Sequence, residues 1–358
     1  LADAQLEFEN GSCSLAVNSR GSGAVHADIE PGRYDVVLSK PGFTAKRMEI
    51  DVEEGKPYQF RLLSDQMYGF MWPKWTRAGE TAEYCVHSTE EFRLELWRYG
   101  WKKEFVRSLG WCSEHGPRAM AQITPDDDFT QTGVQWNRTG HTLEYQKHAV
   151  VAPEQSGLYF MHATTRSGEF ISFPWIVMPD KPDANVAILT SSITSNAYNS
   201  FGGRSNYFNQ DGLPSRPVVN SRQDLTRYTE PGTWPFEETG APLSFNRPEP
   251  GAHVSADSQI TDPIAGRVES AFAPGEWRLL GWLEREGFDY DLYSDVELHF
   301  GGLELDDYQV LILNNHPEYF SPEMYHHVKR WVQERGGRLM YLGGCGMYAE
   351  VEFADEST

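Results

Sequence analysis

Three stretches of pattern predict a multidomain chain: two N-terminal all-β sandwiches, then an α/β domain on a mostly parallel sheet. Over residues 1–66, short apolar–polar alternations are cut by Gly and Pro. A second β pattern without helical periodicity runs over 67–180. From 181 to 358, apolar strands alternate with amphipathic helices, which implies strands joined by crossover helices.

The first unit reads QLEFENG, SLAVNSRG, AVHADIEPG, RYDVVLSKPG, KRMEIDVEEG and YQFRLL, a small antiparallel sandwich. Within it, EPGRYDVVLSKPGF (30–43) resembles transthyretin-like and carboxypeptidase-regulatory modules, where a Pro-Gly turn feeds a strand with an inward Tyr. Nothing titratable clusters there, so its expected role is scaffold or docking. The second unit contains ETAEYCV, RLELWRYG, GLYFMHATT and EFISFPWIVMP, expected as an immunoglobulin-like sandwich. Trp97, Trp111, Trp136 and Trp175 are candidates for its core or for a sugar-binding surface. DKPDA (180–184) has linker composition.

In the third unit, DANVAILTS (183–191) predicts a buried strand opening into a loop rich in Asn, Ser and Gly, within an irregular stretch to 274. GEWRLLGWLEREG (275–287) predicts a helix, with Trp277, Leu280 and Leu283 at spacings of three and Gly287 at its end. FDYDLYSD and DYQVLILNN predict strands. SPEMYHHVKRWVQERGG predicts a helix with Ser321 as N-cap, Pro322 at its first position and Gly336 closing it. RLMYLG (338–343) predicts another buried strand.

A balance of 31 basic against 52 acidic residues gives a formal charge of −21, which argues against nucleic acid and anionic membrane surfaces as partners. Four scattered cysteines (Cys13, Cys85, Cys112, Cys345) signal neither a zinc site nor a disulfide framework, although one Cys85–Cys112 bridge stays open. With no transmembrane-length run and no signal peptide, the expected compartment is the cytoplasm. The chain lacks an initiator Met and reads as a piece of a longer one.

In parallel sheets, ligands bind beyond the carboxyl ends of the strands. Three polar clusters fall there: Tyr198 to Tyr207, Asn314 to Tyr319, and Gly343 to Tyr348. The first asks why a connector carries two phenols. In the second, His316 and Glu318 lie two apart and can converge on one crevice. In the third, Cys345 on a Gly-rich turn resembles the nucleophile elbow of class I glutamine amidotransferases, without the downstream His and carboxylate such enzymes use.

Taken together, AYNSFGGRSNY (197–207), SFNRP (244–248), LLGWLEREGFDYDLYSDVELH (279–299) and NHPEYFS (315–321) resemble the dimethylformamidase large-subunit (beta-subunit) family. PKWTRAGETAEYCVHST, LELWRYG, SGLYFMHA and FPWIVMP extend the resemblance to the preceding β domain, so that it covers about residues 67–358 and leaves out the N-terminal module. The resemblance implies a flavodoxin/glutamine-amidotransferase-like catalytic domain over 181–358. It also implies an iron-dependent amidohydrolase acting on a small amide, with mononuclear Fe(III) held by two tyrosines and a glutamate. Hard oxygen donors suit that ion, which activates water without a redox change. Carried over by position, the ligands are Tyr198, Tyr207 and Glu318, with His316 as base or neighbouring hydrogen-bond partner. Tyr228 competes with Tyr207 for the second phenolate, and Glu249 stands after SFNRP where relatives tend to carry an aromatic residue. Relatives imply a small helical subunit, a homo-oligomer or both. Two other readings stand beside this one: a non-catalytic scaffold binding glycans or proteins, and a Cys345 thiol enzyme.

Overall fold

The computed structural model of the chain describes residues 2–43, 45–58, 62, 67–88, 90–113, 148–199, 201, 242–260 and 272–355. Alternation in the first 52 residues forms β1 (Gln5–Asn10), β2 (Cys13–Asn18), β3 (Gly32–Ser39) and β4 (Lys46–Val52). They make one antiparallel sheet in the order β2-β1-β3-β4. Leu6, Phe8, Tyr34, Val36 and Leu38 share its buried face, and the Tyr34 hydroxyl donates to the Glu30 carbonyl at 2.9 Å. A second sheet is not formed here among the described residues. Val25, Ala27, Ile29, Phe43 and Leu62 cover the apolar face instead.

The next strands are β5 (Tyr68–Trp72), β6 (Trp75–Arg77), β7 (Thr81–His87), β8 (Phe92–Tyr99), β9 (Lys103–Cys112), β10 (His148–Val151), β11 (Gly157–Thr165) and β12 (Phe170–Met178). They form two sheets, β10-β7-β5 and β6-β12-β11-β8-β9. Met71, Tyr84 and Val86 of one meet Leu96, Met161 and Trp175 of the other in a shared core. Because strand side chains alternate, Leu158 and Phe160 of β11 point the opposite way, into the core of the C-terminal unit. The larger sheet is therefore covered on both faces, which explains the nearly unbroken apolar run of β11. Trp175 is fully buried, Trp97 is half-buried, and Trp111 is exposed beneath the Arg166 guanidinium. Trp136 lies outside the described residues.

The C-terminal unit runs β13 (Val186–Thr190), α1 (Ser192–Tyr198), α2 (Phe272–Arg285), β14 (Asp291–Ser294), α3 (Val296–Phe300), β15 (Val310–Asn315), β16 (Tyr319–Phe320), α4 (Pro322–Arg330), β17 (Arg338–Gly343) and β18 (Ala349–Glu350). Its four-stranded sheet is parallel throughout, in the order β14-β13-β15-β17. Helix α2 buries Trp277, Leu280 and Leu283, as its spacing predicts. It stops where Gly287 takes a positive φ and Phe288 N–H bonds back to the Leu283 carbonyl, a left-handed cap. Ser321 caps α4 by accepting from Met324 N–H at 3.2 Å. The last turn, Trp331–Arg335, is π-helical and closes at Gly336. The chain as a whole is mostly β, with several sheets and few helices. Among the described residues no helix is long and apolar enough to cross a membrane. All four cysteines are free, so the Cys85–Cys112 bridge is not formed.

One expectation is corrected. RLMYLG forms a strand, but not a buried one: Met340, Tyr341 and Leu342 are each 44–45% exposed. Among the described residues β17 has a single neighbour, β15, and forms the open edge of the sheet. The opposite edge, β14, packs against the β-sandwich, with Leu292 N–H donating to Ser156 Oγ at 2.9 Å. An apolar edge whose one charge is Arg338 invites a further strand. The 358-residue chain is expected to self-associate as concentration rises, and Met340→Lys to shift sedimentation toward monomer. Identical profiles for the two proteins would contradict this.

Candidate functional site

The carboxyl ends of β13 and β15 each deliver one half of the site. Beyond β13 the chain enters α1 rather than the expected loop, although SITSNAY is a poor helix former. The helix is held from outside. Ser191 N–H donates to the Glu276 carboxyl, and Ile193 N–H to both oxygens of Asp295 at 3.1 and 3.3 Å. Burial pushes Glu276 up to about 8, with the Glu249 charge adding to the effect. Burial also pushes Asp295 well above the usual carboxyl range. Tyr198 is the last residue of α1.

Beyond β15, Asn315 turns through a left-handed conformation (φ 63°) and starts the His316–Glu318 loop. His316 N–H donates to Ser191 Oγ at 3.0 Å, and Ser191 Oγ donates to the Asn314 carbonyl at 2.8 Å. Thr194 Oγ1, on α1, accepts from Glu318 N–H at 3.1 Å. The two halves are thus stitched together, and their side chains meet. The Tyr198 hydroxyl donates to Glu318 Oε2 at 2.8 Å, and His316 Nε2 lies 3.3 Å from the same oxygen. Glu318 is buried, and the Tyr198 and His316 rings are 5.6 Å apart.

The third cluster clamps this loop through its backbone. Gly344 N–H donates to the Asn315 carbonyl, Met347 N–H to Pro317, and Tyr348 N–H to Glu318, at 2.8–3.1 Å. Gly343 has to be glycine, because a Cβ would sit 2.7 Å from the Asn315 carbonyl oxygen and 2.5 Å from the Pro317 ring. Cys345 is exposed at φ 48°, and among the described residues no histidine or carboxylate contacts its thiol.

Of the other predicted residues, Tyr207 and Tyr228 lie outside the described residues. Glu249 has its charge engaged: Oε2 pairs with Lys74 Nζ at 2.8 Å, both side chains being nearly buried. Sequence reasoning assigned no role to Arg247, which lies inside the SFNRP stretch and is fully buried. Its guanidinium donates to the carbonyls of Asn196, Asn199, Phe201 and Ser244 and to Asn196 Oδ1, at 2.6–3.1 Å. It therefore holds the backbone on both sides of Tyr198.

The donor set suits a hard, highly charged cation. Removing the hydrogen between Tyr198 Oη and Glu318 Oε2 would leave two anionic oxygens face to face, a repulsion that only a nearby positive charge offsets. Clusters of three or more His, Cys, Asp or Glu suited to a metal are absent among the described residues, so such a site depends on the phenol.

Fold and site together define a multi-sheet, mostly β chain in which a tyrosine, a histidine and a buried glutamate meet at the carboxyl ends of a parallel sheet. The family described as N,N-dimethylformamidase beta subunit-like, C-terminal, matches residues 93–358, and the chain belongs to it. It is 36% identical over 86 residues to the N,N-dimethylformamidase beta subunit of Alcaligenes sp., which is 23% of this chain and 11% of that one. It is 36% identical over 78 residues to the protein of that name from Paracoccus aminophilus, which is 21% of this chain and 10% of that one. The chain thus matches about a tenth of the length of these curated relatives. Among solved structures, a trypsin-activated α2-macroglobulin from Escherichia coli overlaps 49% of this chain and 14% of its own at TM-score 0.20 and 9% identity. A DUF3823 family protein from Bacteroides ovatus overlaps 48% of this chain and 88% of its own at TM-score 0.17 and 11% identity. At such scores neither carries an argument about fold.

Proposed function

We propose that the chain is an amidohydrolase that cleaves the C–N bond of a small amide at Tyr198, His316 and Glu318. The observation that carries this reading is the shared oxygen, Glu318 Oε2, which takes the Tyr198 hydroxyl at 2.8 Å and faces His316 Nε2 at 3.3 Å. Membership of a family named for an amidase supports the reaction class. In this reading Tyr198 and Glu318 hold a ferric ion, whose bound form supplies Lewis-acid activation of carbonyl and water. Glu318 orients the His316 ring through Nε2, leaving Nδ1 to take a proton from water and return it to the departing amine nitrogen. The buried carboxylate and the phenol keep the surrounding hydrogen-bond directions fixed, so substrate meets a preorganised site.

Further parts of the reading have their own support. The parallel sheet, whose strands appear in the order 2-1-3-4, fits a flavodoxin- or glutamine-amidotransferase-like unit over 181–358, following β units over 1–66 and 67–180. The relatives' names as beta subunits support an assembly with a further subunit, and in this reading that subunit is small. Four free thiols suit a reducing cytoplasm.

The test is incubation of the iron-loaded chain with N,N-dimethylformamide and a panel of small formamides and acetamides, with amine release as readout. Turnover that falls on the order of 10²–10⁴-fold in His316→Asn is expected. Turnover unchanged in His316→Asn would assign the chemistry elsewhere.

A further inference from the structure

One buried acid takes no part in the proposed chemistry yet touches both halves of the site. Glu276 sits on α2, 3% exposed, behind the sheet's carboxyl edge. Its side chain accepts Ser191 N–H, where β13 hands over to α1. Its backbone carbonyl accepts the Asn314 side-chain amide at 3.3 Å, where β15 hands over to the His316–Glu318 loop. Ser191 then closes the circuit, because its Oγ donates to the Asn314 carbonyl and receives His316 N–H. The helix residue therefore grips two strand ends that sequence separates by more than a hundred positions.

We propose that Glu276 is a positioning residue that sets the register of Tyr198 against His316 and Glu318 by tying the ends of β13 and β15 to α2. The grip depends on its protonation state. The neutral Asn314 amide of β15 bonds the Glu276 backbone carbonyl rather than its carboxyl. The groups that face the carboxyl are Ser191 N–H from the β13–α1 junction and two acids. Those acids are Glu249, which is paired with Lys74, and Asp295 from the β14–α3 junction. No cation contacts it among the described residues, so a charge formed there meets the Glu249 carboxylate in a dry site, beside an Asp295 carboxyl that burial itself pushes up. Burial and Glu249 raise the group to about 8, so the neutral form dominates at neutral pH. A folded-state affinity for protons above the unfolded one stabilises fully below the ordinary carboxyl range, and that contribution is lost as pH climbs through about 8. Ionisation strengthens the Ser191 N–H bond itself but sets the new charge against Glu249 in a buried site, so the carboxylate shifts and carries Ser191, and through its hydroxyl His316, with it.

This rests on Tyr198, His316 and Glu318 being the functional site, but the readout needs neither metal nor substrate. In the full chain labelled with ¹⁵N-histidine, the His316 backbone amide is identified as the resonance that disappears in His316→Asn. Its shift is followed from pH 7 to 9.5. The wild type should show an inflection near pH 8. Glu276→Gln, which keeps an oxygen for Ser191 N–H but cannot titrate there, should give a flat line. Ser191→Ala, which leaves the acid in place but removes the hydroxyl relay, should lose most of the amplitude. An inflection of full size in either variant, or none in the wild type, would overturn the proposal. Loss of amidase activity with the inflection intact in the wild type alone would leave it standing and remove only the catalytic reading.

Discussion

Glu318→Gln is expected to leave the fold intact while removing bound iron and lowering amide hydrolysis by roughly 10³-fold or more. The amide oxygen of Gln can still accept the Tyr198 hydroxyl, so the 2.8 Å contact and the backbone bonds to Thr194 and Tyr348 survive. What is lost is negative charge. Without it, deprotonating Tyr198 no longer creates the anionic pair that a cation offsets, and His316 loses the partner that orients its ring. Tyr198→Phe removes the other donor and should give the same loss of iron, with the carboxylate retained. Metal analysis and circular dichroism on the same samples separate loss of site from loss of fold. Iron retained at wild-type level in both variants would rule out this ligand pair.

Arg247→Ala should be the most destabilising single change in the C-terminal unit, by about 3–5 kcal/mol. Arg247 is fully buried and bonds to four carbonyls and one side-chain oxygen. Truncation would leave all of these acceptors in a dry interior, and unsatisfied buried groups are costly. Lys in its place keeps the charge but offers three donors from one nitrogen, too few and too concentrated for acceptors spread over residues 196–244. Arg247→Lys should therefore fall between wild type and Ala in urea denaturation. Because the acceptors flank Tyr198, both variants should also bind iron more weakly, in the same rank order. An Ala variant within about 1 kcal/mol of wild type would mean that water replaces the guanidinium.

Elements with strong local signals were legible in the sequence. Helix α2 is written in Trp277, Leu280 and Leu283 with a glycine stop, and α4 in Ser321-Pro322-Glu323. Both depend on neighbours within a few residues. The misread elements depend on distant ones. SITSNAY looks like a loop because its residues favour turns, and it becomes helical because Glu276 and Asp295, 85 and 102 residues away, supply carboxyls to its first N–H groups. RLMYLG has the composition of a central strand, and nothing local says that β17 would have one neighbour among the described residues. The site itself divides the same way. His316 and Glu318 stand two apart on one strand exit, so their convergence could be anticipated, and family resemblance added Tyr198 from 120 positions earlier. Arg247 carried no signal of its own, since its partners are backbone carbonyls, which every sequence contains. Glu249 was weighed as a replacement for a tyrosine, and its pairing with Lys74 depends on the turn between β5 and β6 of the preceding β unit.

The most direct measurement is the iron content of the chain purified without chelators, together with its visible spectrum. About one iron per chain with a broad tyrosinate-to-iron charge-transfer band, both lost in Tyr198→Phe, is the predicted result. A chain that neither contains iron nor takes it up, or a band that survives in Tyr198→Phe, would contradict a metal centre at Tyr198 and Glu318.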